Sequence, residues 1–159
     1  VGRTRGMGRV NRGTHGREQD WEMVVENVRE VCIKNALGGN LAVLTDPKVA
    51  EKRRAVARVR STDSKMILGD SNELFGHKIY ATSLVPSNLT KGTSSGVCSA
   101  MIFGNFNDLV VGEWGALDLL FDPYTGSTTG AMRVTAFMDC DVAVRHAQSF
   151  SATQDYLTT

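Results

Sequence analysis

The chain has 159 residues, 42% of them hydrophobic and 22% charged, and a net charge of +1. This length fits one ordinary domain or two small lobes with an apolar core, and no apolar run approaches the ~20 residues that span a bilayer. The basic N-terminus has no apolar segment behind it, so no secretory signal is predicted, and three cysteines without close spacing argue against a disulfide framework or a zinc site.

The small net charge hides four blocks of alternating sign. Residues 1–17 carry +5, residues 18–45 carry −3, residues 46–60 carry +4 and residues 61–159 carry −5. Blocks of opposite sign suit an assembly in which the basic segment of one subunit meets an acidic face of its neighbour.

The first segment, residues 1–17, is predicted to be a flexible arm because it combines five arginines with five glycines and little apolar surface. Such an arm can bind nucleic acid through phosphates. The favoured interpretation is an arm that stays disordered or becomes ordered only against a partner.

Two helices and a short strand are predicted next. Residues 18–36 form an amphipathic helix that ends at Gly38–Gly39, and its apolar stripe consists of Trp21, Val24, Val25, Val28, Val31 and Cys32. Residues 41–45 are a short buried strand. A second helix, capped by Thr45 or Asp46, starts with Pro47 and continues to about Arg58. The cations of this helix are Lys48, Lys52, Arg53, Arg54, Arg58 and Arg60. They are interpreted as a solvated face, and an intersubunit or nucleic-acid contact is the alternative.

Strands dominate the rest of the chain. Residues 75–83 and 97–103 are strand-like, and two long runs, residues 102–124 and 132–150, form a hairpin across a turn of small residues. In the second run the alternation predicts a core-facing apolar face with Val134, Ala136, Met138, Cys140, Val142 and Val144. The other face should meet water or a neighbouring subunit, and it contains Arg133, Thr135, Phe137, Asp139, Asp141 and Arg145.

Few residues suggest chemistry. Residues 92–96 match G-x-S-x-G, but the nucleophile elbow needs a strand before Ser94 and a helix after it, and here a loop precedes it and a strand is predicted to follow. The histidines His15, His77 and His146 are too far apart in the sequence to suggest a metal-binding site.

Four carboxylates of the hairpin, Asp118, Asp122, Asp139 and Asp141, could form a cation site or an acid/base pair; pairing with Arg133 and Arg145 in a salt-bridged or interfacial face is favoured. Cys32, Cys98 and Cys140 are each predicted to be small buried hydrophobes. The sequence therefore predicts no catalytic, cofactor-binding or metal-binding residue.

Several segments, in order, resemble the C-terminal part of tailed-bacteriophage major capsid proteins over roughly residues 18–155. They are Trp21 opening a helix, then residues 44–47 (LTDP), 74–79 (LFGHKI), 83–86 (SLVP), 102–109 (IFGNFNDL), 114–119 (WGALDL) and 133–146 (RVTAFMDCDVAVRH). No single piece is diagnostic, but their order and spacing together are fairly specific.

The resemblance implies an α+β fold of the phage major-capsid type, with a spine helix, a central mixed sheet and a long C-terminal β-hairpin. It implies peripheral-lobe helices at 18–60, an axial-lobe sheet with loops at 61–115, and a closing hairpin at 116–159 that returns to the peripheral lobe.

The implied function is structural and not enzymatic: a subunit of a phage or prophage capsid, assembled in the bacterial host cytoplasm, that self-associates into pentamers and hexamers. The implied partners are copies of itself and packaged double-stranded DNA, bound non-specifically, and no membrane. An encapsulin-like nanocompartment shell is the alternative, and a small hydrolase is a distant third. Capsid proteins of this family carry an arm and a long loop before the spine helix, so the 17 residues found here lead us to expect a truncated or processed form.

Overall fold

The computed structural model describes residues 8–9, 15–59, 65–69, 71–126 and 128–158. The chain divides into two units, one made of residues 1–108 with 146–159 and the other of residues 109–145. Of the predicted arm, residues 1–7 and 10–14 lie outside the described residues.

The larger unit contains two helices, α1 (Trp21–Ile33) and α2 (Pro47–Ala55), and a mixed sheet. Its strands are β1 (Gly8–Arg9), β2 (Leu41–Thr45), β3 (Glu73–Leu74), β4 (His77–Ala81), β5 (Leu89–Lys91), β6 (Ser94–Asn105) and β9 (Phe150–Leu157). The sheet order is β1-β9-β6-β2-β4-β3, with β5 paired to β6. Strand β2 is parallel to β4 and antiparallel to β6. Strands from both predicted segments, 18–60 and 61–115, therefore lie in one sheet. The assignment of these segments to lobes stays a prediction.

The smaller unit is a two-stranded antiparallel hairpin of β7 (Leu109–Asp122) and β8 (Arg133–Val144). Short 3-10 turns at Phe106–Asp108 and Ala147–Ser149 adjoin it in the chain. The predicted long run at 102–124 is therefore two strands, because the 3-10 turn ends β6 before β7 begins. The α+β class, the mixed sheet and the long hairpin predicted from the sequence are confirmed.

The helix termini follow local chemistry, with two corrections, of which the first is that α2 ends at Ala55 and not at about Arg58. Asp46 caps α2, since its carboxylate accepts a hydrogen bond from the Lys48 amide at 2.8 Å, and Pro47 occupies the first position as predicted. Helix α1 does not end at Gly38–Gly39. Asn35 takes the left-handed conformation at φ 53°, and the amides of Asn35 and Ala36 donate to Cys32 and Val31 carbonyls at 2.9 and 3.2 Å. This is a Schellman cap, which asparagine can form because its side chain tolerates positive φ.

Helix α1 packs through a face centred on a polar residue. Asn27 is fully buried between α1 and β9: its side-chain oxygen accepts from the Ser151 and Thr153 hydroxyls at 3.0 and 2.9 Å, and its nitrogen donates to the Tyr156 hydroxyl at 3.3 Å. Met23, Val24 and Val31 are buried with it. The buried face of α1 is therefore rotated about the helix axis relative to the predicted apolar stripe, and two members of that stripe, Val25 and Cys32, are exposed.

Arg53 corrects the interpretation of α2 as carrying only solvated cations. Its side chain is fully buried, with the guanidinium 4.7 Å from the centre of the Tyr156 ring and Nη1 2.8 Å from the sulfur of Met101. Nε and Nη2 have no hydrogen-bond partner in the structure as described. Burial lowers the pKa of the guanidinium and raises that of the Tyr156 phenol.

The cysteine prediction holds for one position of three. Cys98 is buried, whereas Cys32 and Cys140 are exposed, and all three are free thiols. The exposed pair lie on faces of α1 and β8 that the rest of the described chain does not cover.

Candidate assembly surface

The register of the β7–β8 hairpin sorts its side chains onto two unlike faces. Residues directly opposite each other in an antiparallel pair share a face. The pairing Leu109↔Val144, Val111↔Val142, Leu119↔Ala136 and Phe121↔Val134 therefore extends the predicted β8 stripe across both strands. We call this the apolar face; it contains Leu109, Val111, Glu113, Leu119, Phe121, Val134, Ala136, Met138, Cys140, Val142 and Val144.

A bulge keeps the two faces in step along the ribbon. The register shifts between Trp114 and Asp118, where three residues of β7 have no register partner in β8. Gly115 takes φ +88° there, a backbone conformation that side-chain-bearing residues rarely adopt. Because β7 gains two residues over β8 at this point, the alternation resumes on the same faces beyond it.

The apolar face is exposed, which corrects the expectation that it lies on the core. Val111, Phe121, Val134, Met138 and Val142 are each between 54% and 58% exposed. The alternation correctly identified which side chains share the face. It could not show what covers them, since a two-stranded hairpin has no second layer of its own to bury one face.

The opposite face, which we call the acidic face, mixes carboxylates with aromatic side chains. Asp139 lies opposite Trp114, Asp118 opposite Phe137 and Asp122 opposite Arg133. The fourth carboxylate, Asp141, lies opposite Gly112. The carboxylates thus follow the ribbon rather than converge, and the part of the chain that is described contains no group of three His, Cys, Asp or Glu side chains that could hold a metal ion.

Asp122 has a local role at the end of β7. Its carboxylate accepts hydrogen bonds from the amides of Tyr124 and Thr125 at 2.8 and 3.2 Å, and from the Thr125 hydroxyl. These bonds, the hydroxyl first, lower the pKa of Asp122. The residue therefore caps the hairpin turn. This local role explains one of the four carboxylates of the predicted cluster, and it requires no bound ligand.

His146 has a partner that its sequence position did not suggest. Its Nδ1 lies 3.2 Å from the carboxylate of Asp108, which also accepts from the Ser149 hydroxyl at 2.6 Å and the Asn105 amide at 3.2 Å. The Ser149 bond, followed by that to His146, lowers the pKa of Asp108. Asp108 precedes β7 and His146 follows β8, so this cluster joins the two points at which the chain leaves and re-enters the larger unit.

Ser94 lacks the surroundings of a nucleophile. It begins β6, directly after the β5 turn, and a strand follows it where the elbow motif requires a helix. Its hydroxyl accepts from the Gly16 amide at 3.1 Å. His15 contacts Thr93, with its Nδ1 3.0 Å from the hydroxyl, and the His77 ring centre lies 5.4 Å from that of Phe103.

Among the described residues, neither helix has the length and the apolar character that a membrane span requires.

The residues that sequence reasoning missed are polar and buried. Asn27, Arg53 and the hydroxyls of β9 carry no apolar signal, and strand β9 itself was not predicted beyond Phe150. The signal that could have revealed it is the recurrence of polar side chains at every second position, Ser151, Thr153 and Asp155, all of which are buried.

Comparison with known proteins adds a family to this geometry. The model of the Phage capsid family matches residues 43–155. No curated protein sequence matches the chain.

Solved structures share the fold at low identity. The chain is similar to the capsid of a native GTA particle (TM-score 0.63, 18% identity, 94% of this chain and 50% of that one). It is similar to a structure from Gordonia phage Cozz (0.62, 16%, 95% and 50%), and to the holo-SrpI encapsulin complex from Synechococcus elongatus PCC 7942 (0.56, 13%, 99% and 55%). The chain spans about half the length of the solved structures it matches, and the family resemblance seen in the sequence is confirmed.

Proposed function

Because the chain belongs to the phage capsid family, we propose that it is a structural subunit of a virion capsid, which acts by binding copies of itself rather than by turning over a substrate. The observation that carries this proposal is the exposed apolar face of the β7–β8 hairpin. An isolated two-stranded hairpin is marginally stable in water, and a contiguous exposed apolar strip is typical of a contact surface. A shell subunit needs such surfaces because every copy meets several neighbours.

The proposed shell is built from pentamers and hexamers around double-stranded DNA and is assembled in the cytoplasm of the bacterial host. Such a shell holds DNA without reading its sequence, through contacts between cations and phosphates. The basic blocks at residues 1–17 and 46–60 supply cations for this role. In the second block Lys48 is exposed, whereas Arg53 is buried and takes no part.

A second candidate is the shell of an encapsulin-like nanocompartment. It is favoured by the similarity to the SrpI encapsulin over 99% of this chain. The two candidates share the self-associating surface and differ in what the shell holds, a cargo enzyme in one case and DNA in the other.

Light scattering and negative-stain electron microscopy of the purified protein test the proposal. We expect large symmetric species, either rings or closed shells, that form as the protein concentration rises. For the capsid, nuclease treatment should leave protected DNA inside closed particles; for the nanocompartment, an enzyme should co-purify and DNA should be absent. A protein that stays monomeric at all accessible concentrations contradicts both candidates.

A further inference from the structure

We propose that a small oxyanion binds inside the larger unit, where the Nε–H and Nη2–H groups of Arg53 donate to two of its oxygens. The site lies in the interior of one chain, so it is separate from the contacts between copies on which the proposed function depends. It makes the stability of the larger unit depend on an anion in solution.

The guanidinium of Arg53 has one complete edge without a partner. On its other side Nη1 lies 2.8 Å from the sulfur of Met101, and the group sits 4.7 Å from the centre of the Tyr156 ring. Nε and Nη2 are both buried and have no hydrogen-bond partner among the described residues. Their N–H groups point in the same direction and match two oxygens of a carboxylate or a phosphate. The unpartnered edge is therefore the part of the group that recognises oxyanions.

Charge favours an anion over a neutral ligand at this edge. Arg53 is fully buried, and a guanidinium keeps its proton in proteins. No ion pair between described residues includes Arg53. The Tyr156 ring attracts the cation only through its quadrupole, and an unpaired buried charge is strongly destabilising. A bound anion supplies the missing opposite charge.

Two further buried side chains near Tyr156 have polar atoms without a partner. Ser99 is the register partner of Tyr156 in the β6–β9 pair, so both side chains lie on the face that meets Arg53. The Ser99 hydroxyl has no partner among the described residues. The same holds for both amide atoms of Gln19, which is 3% exposed and follows Arg17, itself paired with Tyr156. Buried polar atoms are almost always hydrogen-bonded, so three such side chains around one ring indicate a bound group.

Gln19 also lines a cleft through which a small molecule can enter. The cleft has a volume of ≈ 450 Å³ and is lined by Glu18, Gln19, Lys52, Ala55, Val56 and Ala57, and its size is that of small-molecule sites, roughly 300–1,000 Å³. Lys52 directly precedes Arg53, and Val56 lies one helical turn after it. Lys52 favours an anion at the entrance and Glu18 disfavours one, so the buried donors decide the selectivity. In the proposed site the anion passes from this cleft to Arg53.

The donors and acceptors of the site favour inorganic phosphate among small oxyanions. Two phosphate oxygens accept from Arg53, and the other oxygens can accept from the Ser99 hydroxyl and the Gln19 amide. A protonated phosphate oxygen can also donate to the Gln19 carbonyl oxygen. Acetate has only two oxygens and no donor, and chloride is a single sphere that does not match the paired N–H groups. The expected order of affinity is phosphate, then acetate, then chloride.

Isothermal titration calorimetry of the whole chain in phosphate-free buffer tests this order. Phosphate should bind at one site per chain with a dissociation constant of ~1 mM or lower, acetate about tenfold more weakly, and chloride without measurable heat. Phosphate at about 10 mM should then raise the Tm by about 3–6 °C relative to chloride at the same ionic strength.

Variants of neighbouring arginines separate the paired N–H groups from charge alone. Arg53→Lys keeps the charge but loses the planar edge, so it should weaken phosphate binding at least ~10-fold, and Arg53→Met should abolish it. Arg54→Met is the matched control, because the Arg54 guanidinium already bonds to Glu51 and Asn72. It should change the affinity less than about twofold. Circular dichroism checks that each variant is folded.

An NMR titration of the parent protein tests the site without relying on a variant's stability. Phosphate should shift one arginine Nε–H signal, the one that is missing from the spectrum of Arg53→Met or, if that variant does not fold, of Arg53→Lys. If no arginine signal shifts and no heat is measured, the inference is wrong. It is also wrong if Arg53→Lys binds phosphate as tightly as the parent, or if Arg54→Met weakens binding as much as the Arg53 variants. None of these results bears on the proposed shell function.

Discussion

Replacing Asn27 with leucine tests whether the buried hydrogen bonds between α1 and β9 stabilise the larger unit. Leucine has the branched shape and the number of side-chain heavy atoms of asparagine and favours a helix, so the change removes polar atoms without opening a cavity. It leaves the hydroxyls of Ser151 and Thr153, both fully buried, without the acceptor they use at 3.0 and 2.9 Å.

The expected loss follows from the number of orphaned groups. A buried polar group without a partner costs about 1–3 kcal/mol; here the Ser151 and Thr153 hydroxyls lose their acceptor and the Tyr156 hydroxyl loses a donor. The Thr153 hydroxyl also interacts with Tyr156, which limits its cost. We therefore expect the free energy of unfolding to fall by ~2–4 kcal/mol, a large part of the 5–15 kcal/mol typical of a domain.

The assay must report on the unit that contains α1. Of the two tryptophans, Trp21 begins α1 and Trp114 lies in β7. In a Trp114→Phe background, urea unfolding followed by tryptophan fluorescence monitors the larger unit alone. The midpoint should fall with little change in the m-value, since the surface exposed on unfolding is nearly the same.

A compensating variant can refute the reasoning. Adding Ser151→Ala and Thr153→Val to Asn27→Leu removes the two hydroxyls that lost their acceptor and leaves only the Tyr156 hydroxyl of the former partners. Replacing both sides of a hydrogen bond by apolar groups is often close to neutral. The triple variant should recover most of the lost stability. If it is no more stable than Asn27→Leu, unsatisfied hydroxyls are not the cause of the loss.

Three further predictions concern other parts of the molecule. Arg53→Met should leave stability unchanged or raise it by up to about 4 kcal/mol in urea unfolding, because a buried cation with two unpartnered nitrogens is replaced by an apolar chain; a loss above 1 kcal/mol would show that its contact with Tyr156 outweighs desolvation. Met138→Asp, at a position 55% exposed, should change the Tm of the dilute protein only slightly, and Asp139→Asn on the other face is its control. If only the Met138 variant unfolds, the apolar face is buried in the monomer. Ser149→Ala should raise the pKa of Asp108 towards its ordinary value in an NMR titration. Because a lowered pKa stabilises the fold above the unfolded-state pKa, the wild type should be more stable than the variant at neutral pH, and this difference should vanish as the pH falls through the folded-state pKa. An unchanged Asp108 titration would contradict the assigned cause.

Local signals were most informative where a residue's partners are near it in the chain. Asp46 and Pro47 predicted the start of α2 because the cap bonds to an amide two residues away. Alternation along β8 predicted the apolar face, and pairing with β7 extended it, because strand neighbours follow a period of two. The end of α1 was misplaced because glycine is the commonest residue at such caps, while Asn35 can take the same backbone conformation.

Burial was beyond the reach of these signals. Arg53 has the sequence surroundings of a surface cation, yet β6 and β9 bring Met101 and Tyr156 to it. Strand β9 was missed for the related reason that its buried hydroxyls are satisfied by Asn27, more than 120 residues earlier in the chain.

The amino-acid sequence by itself determined the secondary structure of most of this protein, the α+β class, the family resemblance and which side chains of the hairpin share a face. The α+β class follows from the family resemblance, whereas the elements and the shared face depend on spacing within a segment, where the backbone geometry of helices and strands relates neighbours directly. The tertiary structure alone decided which polar groups are buried and which apolar face stays open. Both depend on whether a distant segment arrives to cover them, and no local period records that.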